Sequence, residues 1–103
     1  MYKIIIFGTG LYGKQALQFF TRENVMFWTD NKEDLHGKLI EGIEVIPPSE
    51  LKKYLNECVI VIAAKPEFFN QIKYQLNKEY GIEMALNYTF LKSYINDSGI
   101  SVG

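Results

Sequence analysis

At 103 residues with a formal net charge of −1, the chain has room for one small domain with its own core. It is too short for a two-half dinucleotide fold carrying a substrate domain. The charge balance argues against a nucleic-acid partner, whose binding needs a basic face. A single cysteine, Cys58, excludes an internal disulfide and fits a reducing, cytoplasmic setting, and no signal-peptide pattern or membrane-length apolar run is seen.

Tyr2 to Phe7 reads as the first strand, built on the apolar run Ile4-Ile5-Ile6-Phe7. It runs straight into Gly8-Thr9-Gly10-Leu11-Tyr12-Gly13-Lys14, and a helix over Leu11 to Thr21 follows, with Ala16, Leu17 and Phe20 at helical spacing. Val25-Met26-Phe27-Trp28 is the second strand, unbroken in its apolar run as expected where helices cover both faces of a parallel sheet. Asn31 to Gly42 reads as a polar loop, Glu44 to Ile46 as a short strand stopped by Pro47-Pro48, and Ser49 to Asn56 as a brief helix. Val59 to Ala63 is the next strong strand. Pro66 then opens a helix to Tyr80, with Phe69, Ile72, Leu76 and Tyr80 as its inner stripe and Gly81 as its stop. Ile82 to Leu86 reads as the last strand, and Thr89 to Ile95 as a terminal helix with Phe90, Leu91, Tyr94 and Ile95 on one face.

This alternation predicts an α/β fold: a single small domain with a three-layer, Rossmann-like parallel sheet of four to five strands and right-handed crossovers. The domain is read as 1–96, with 97–103 a frayed tail. The expected strand order is short third, second, first, fourth, fifth. A ligand crevice then lies above the first and fourth strands, where the order reverses.

The glycine stretch has the spacing of the dinucleotide-binding fingerprint. Gly8 permits a tight turn out of the strand, Gly10 lets backbone approach a phosphate, and Gly13 lets the helix pack against the strand. The helix N-terminus offers N–H groups and the positive end of its dipole to an anion. Asp30, about 20 residues on, ends the second strand where a carboxylate can accept from ribose hydroxyls. The nucleotide-binding set is therefore Gly8, Thr9, Gly10, Leu11, Tyr12, Gly13, Lys14, Asp30, Asn31, Ala63 and Ala64, the last two leaving space beside the crevice. The bland alternatives are a tight turn kept for packing and, at Thr29-Asp30-Asn31, an ordinary turn.

Gly8, Gly13 and Lys14 also satisfy the Walker A spacing, but Gln15 stands where a magnesium-ligating Ser or Thr belongs, which argues against NTP hydrolysis. Trp28 reads as core, His36 as a lone exposed imidazole, and Cys58 as a buried inert thiol. No paired carboxylates, Ser/His/Asp set or Tyr-x-x-x-Lys helix is present, so no catalytic or metal-ligating residue is assigned.

IIIFGTGLYGKQAL, FWTDN, GKLIEGIEVIPPSEL and CVIVIAA together resemble a Rossmann-like domain of bacterial surface-sugar pathways. The likeness is to the amino-terminal domain of sialic-acid O-acetyltransferase-type and nucleotide-sugar N-acetyltransferases, with similar modules attached to glycosyltransferases and FkbM-type methyltransferases. It covers Lys3 to Leu86. Tyr12 stands where the acetyltransferases usually carry His. The resemblance implies a nucleotide-sugar holder, with catalysis in a following β-helix whose hexapeptide repeats this chain lacks. The expected function is a nucleotide-binding module without turnover of its own. Its ligand is a UDP- or dTDP-type nucleotide-sugar or NAD, and its partner is a transferase domain, fused or separate. The alternatives are an NAD(P)-dependent oxidoreductase fragment and a ligand-free interaction domain.

Overall fold

The computed structural model describes residues 2–98. Its strands are β1 (Lys3–Phe7), β2 (Val25–Thr29), β3 (Leu39–Ile40), β4 (Ile43–Ile46), β5 (Cys58–Ile62) and β6 (Leu86–Asn87). Its helices are α1 (Leu11–Phe20), α2 (Pro66–Tyr80) and α3 (Tyr88–Ser98), with short 3-10 helices at Arg22–Asn24, Glu33–Leu35 and Pro48–Tyr54. One sheet holds all six strands in the order β3-β4-β2-β1-β5-β6. Every pairing is parallel except β3 with β4. The expected order of the parallel strands is the observed one, with the short antiparallel β3 added at one edge.

The three layers follow from strand alternation. Ile5 and Phe7 of β1, Cys58, Ile60 and Ile62 of β5 and Ile46 of β4 face one way and bury Leu51 and Leu76, with Phe69, Ile72 and Tyr80 of α2 packed against them. Ile6, Val61, Val45 and Ile43 face the other way, against Ala16 and Leu17 of α1 and Tyr88 of α3. Val25 and Trp28 of β2 both join this second cluster although they are three residues apart. The register between β1 and β2 shifts between Ile4 and Ile5, which supplies the extra residue. Trp28 is fully buried, and its indole N–H donates to the Ile40 carbonyl at 2.9 Å.

Five expectations need correction. The loop expected over Asn31 to Gly42 contains a 3-10 turn and β3. β3 returns into β4 through Glu41 and Gly42, both at positive φ (54° and 77°), the conformation of a two-residue type I′ hairpin. The helix expected at Ser49 to Asn56 is the 3-10 helix Pro48–Tyr54. The last strand is not Ile82 to Leu86. Gly81 caps α2 in the left-handed region, and the next amide, of Ile82, donates back to Leu76 O at 3.0 Å. That cap uses the start of the segment; Ile82 and Ala85 are buried without pairing, and β6 forms only at Leu86–Asn87. Finally, the apolar face expected on the terminal helix divides: Phe90 and Tyr94 are exposed and stacked on each other, while Leu91 and Ile95 are half-buried. The helix continues to Ser98, beyond the expected start of the frayed tail at 97, and residues 99–103 of that tail lie outside the described residues.

Candidate functional site

β1 ends at Phe7 between β2 and β5, so the chain leaves the sheet where strand order reverses. Hydrogen bonds fix the exit on both sides: the Gly8 N–H donates to Thr29 O at 2.8 Å and the Ala63 N–H to Phe7 O at 2.9 Å. Gly8 takes φ +119°, and a Cβ there would stand 2.5 Å from the Ala63 carbonyl oxygen. A Cβ at Gly13 would overlap the Gly8 carbonyl oxygen and lie 3.2 Å from Cζ3 of Trp28. Both glycines are therefore demanded by the backbone and its neighbours.

Gly10 differs. Its φ of −84° suits any residue, and among the described residues nothing lies within 4 Å of where its Cβ would be. It is the N-cap of α1, with no side-chain cap and no acidic residue in the first turn. The first helical bond runs from the Lys14 N–H to Gly10 O at 3.0 Å. The amides of Leu11, Tyr12 and Gly13 precede it, at the positive end of the helix dipole. The Leu11 side chain is exposed, while Tyr12 is half-buried and packs against the second core cluster. Lys14 is exposed and lines a separate recess with Gln18, Arg22 and Glu41 on the flank of α1.

Asp30 directly follows β2 and is half-buried. Its Oδ2 accepts from the Thr9 N–H at 3.1 Å and from the Thr9 hydroxyl at 2.8 Å. Its Oδ1 accepts from the Lys32 N–H at 3.1 Å. The carboxylate thus faces the glycine loop and closes a turn at once, so the turn reading of Thr29-Asp30-Asn31 is the one seen in the structure. Asn31 and Gln75 of α2 exchange reciprocal amide bonds of 2.9 and 2.7 Å. Ala63 is buried behind Gly8, and Ala64 packs on the first cluster.

His36 corrects the expectation of an exposed imidazole. It is half-buried, and its Nε2 lies 2.7 Å from the Asp30 carbonyl oxygen, so Nε2 carries the proton of that bond. Together with Asn31, Glu33, Ser49, Gln75 and Glu79 it lines a polar cleft of about 470 Å³. Its partner is six residues away and a carbonyl rather than a side chain, so the sequence carries no signal for it. Cys58 is buried, as expected. Burial pushes its thiol up, with Glu57 adding to the rise and Lys3 opposing it. Among the described residues, no helix is long and apolar enough to cross a membrane.

No curated protein sequence matches this chain significantly. Solved structures do. The chain is similar to RSP, a Rex-family repressor, at 17% identity and a TM-score of 0.60, over 94% of this chain and 57% of that one. RSP in complex with beta-NAD+ and operator DNA matches at 19% identity and a TM-score of 0.58, over 94% of this chain and 55% of that one. UDP-D-quinovosamine 4-dehydrogenase from Vibrio fischeri matches at 18% identity and a TM-score of 0.60, over 99% of this chain and 88% of that one. At these identities the likeness establishes a Rossmann-like α/β fold, and the chain spans little more than half the length of the repressor. The family model described as C2185-like, N-terminal, matches residues 1–85. That match takes in the glycine loop, Asp30 and the Ala63-Ala64 strand end, and on it the chain belongs to the C2185-like N-terminal domain family.

Proposed function

We propose that this domain holds a nucleotide whose phosphates lie on the Gly8–Gly13 loop, with NAD or a UDP- or dTDP-type nucleotide-sugar as ligand. The observation that carries the reading is Gly10. Packing accounts for Gly8 and Gly13, but neither backbone conformation nor a neighbour requires glycine at position 10. An approaching phosphate does require it, and the amides of Leu11, Tyr12 and Gly13 stand beside it. Asp30 accepts from the ribose, and Asn31, Ala63 and Ala64 border the crevice. The repressor neighbour crystallised with beta-NAD+ and with beta-NADH, and the UDP-sugar dehydrogenase neighbour, support ligands of this class. The operator DNA belongs to that repressor; with a net charge of −1, this chain is read as having no nucleic-acid partner.

The domain, 1–96, serves a transferase of a bacterial surface-sugar pathway in the cytoplasm, and has no turnover of its own. A second reading, a fragment of an NAD(P)-dependent oxidoreductase, is favoured by the 88% coverage of the dehydrogenase chain. A thermal-shift panel of UDP-sugars, NAD, NADP, CoA and nucleoside mono- and diphosphates tests both. A cognate ligand at about 100 times its Kd stabilises by roughly 2.7 kcal/mol, which raises the melting temperature by on the order of 10 °C for a domain this size. No shift with any nucleotide contradicts the proposal, and hydride transfer by the purified chain selects the second reading.

A further inference from the structure

An ionised carboxylate offers about four lone-pair positions, two on each oxygen. At Asp30, Oδ2 already takes two donors, the Thr9 N–H at 3.1 Å and the Thr9 hydroxyl at 2.8 Å. Oδ1 takes a third, the Lys32 N–H at 3.1 Å. Two of these donors are backbone amides, fixed by the turn at 30–32 and by the exit from β1. The third is the side chain of Thr9, held between Gly8 and Gly10. Among the described residues no fourth donor reaches the carboxylate, so one acceptor position, on Oδ1, is open.

We infer that Asp30 reads a single ribose hydroxyl rather than the vicinal pair, and that Thr9 is the residue that sets this limit by occupying Oδ2. The inference rests on the nucleotide-binding reading above and adds a specificity to it. A carboxylate with both oxygens open grips the 2′- and 3′-hydroxyls together and discriminates against loss of either. With one position open, the domain is indifferent to one of the two. It therefore accepts one class of deoxynucleotide alongside the ribonucleotide and rejects the other. Thr9 acts here as a positioning residue; it need not touch the ligand.

The test measures binding of ADP and of UDP, each with its 2′-deoxy and 3′-deoxy forms, by calorimetric titration of the full chain. For whichever ribonucleotide binds, one deoxy form should weaken at least about 10-fold, the loss of one hydrogen bond to a charged group. The other should stay within about 3-fold. Thr9→Val removes the hydroxyl from Oδ2 and leaves the backbone amide. In that variant the formerly silent deoxy form should fall at least about 10-fold behind the ribonucleotide, whereas Thr9→Ser should keep the wild-type ratio. A merely structural role for Thr9 would lower all affinities together and leave the ratios unchanged. Equal, large losses for both deoxy forms in the wild type overturn the single-hydroxyl inference while sparing the nucleotide site. No loss for either overturns the role of Asp30 at the ribose. Failure of ADP, UDP, NAD and a dTDP-sugar alike to bind the folded chain overturns the nucleotide reading itself.

Discussion

Replacing each loop glycine by alanine separates packing from ligand binding. At Gly13 the added Cβ overlaps the Gly8 carbonyl oxygen, lies 2.8 Å from the Gly8 carbonyl carbon and presses on Trp28. Overpacking of this kind costs about 1–3 kcal/mol. The overlapped group is backbone and cannot rotate aside, so the upper half of that range applies. Alanine returns roughly 0.5–1 kcal/mol as the better helix former, leaving a net loss of about 1–2 kcal/mol. For a domain this size that lowers the melting temperature by roughly 5–15 °C. Gly8→Ala combines a 2.5 Å approach to Ala63 O with φ +119°; the left-handed backbone alone costs about 1–2 kcal/mol, so it should do at least as badly. Gly10→Ala meets nothing within 4 Å among the described residues and should lose no more than about 1 kcal/mol, the cost of alanine in place of glycine at a helix N-cap. Melting followed by circular dichroism, with denaturant titration as a second measure, gives the ranking. If Gly13→Ala melts with the wild type, the contact between α1 and β1 is misjudged. If Gly10→Ala loses as much as Gly13→Ala, Gly10 is a packing glycine and does not point to a phosphate.

Asp30→Ala strands the Thr9 and Lys32 donors, so it should cost about 1.5–3 kcal/mol even without ligand; an unchanged denaturation midpoint would show those bonds to be idle. Trp28→Phe leaves the Ile40 carbonyl without its indole donor and should lose about 1–3 kcal/mol, read by the same melts. Burial raises both the Cys58 thiol and the Tyr88 phenol. The folded chain thus keeps these protons to higher pH than the unfolded chain does. Their contribution is complete below the unfolded values of about 8.5 and 10, and stability falls as pH rises through and above them. A melting temperature that stays flat from about pH 9 to 11 contradicts this assignment.

The parallel core was legible because its signals are local. Ile4 to Phe7 and Val59 to Ile62 are apolar runs bounded by turns, and Pro66 and Gly81 mark the ends of α2. The three glycines each had a spacing-based role, and the structure separates them by what a Cβ would meet. What stayed hidden depends on contacts between distant segments or on unusual turn chemistry. The Glu41-Gly42 hairpin lacks the Asn-Gly or Asp-Gly signature, since a glutamate rarely takes positive φ. Ile82 to Ala85 contains glutamate and alanine, both poor strand formers, and the α2 cap occupies the start of the segment, so burial there comes without pairing. The Thr9–Asp30 bonds span 21 residues, and the Asn31–Gln75 pair spans 44. Asp30 was identifiable from its place after β2; the occupation of its Oδ2 by Thr9 was not, because only the fold brings Thr9 to it.

Whether a nucleotide is held on the glycine loop is decided by titrating isotopically labelled chain with NAD and with UDP-sugar while following backbone amide resonances. Binding there should give saturable shifts at Thr9 to Gly13, at Asp30 and Asn31, and at Ala63 and Ala64, all abolished by Gly10→Val while the remaining spectrum stays that of the folded chain. Saturable shifts confined to the opposite end of the sheet, at the groove of Tyr2, Leu55, Ile82 and Met84, would contradict it, as would no shift with any nucleotide.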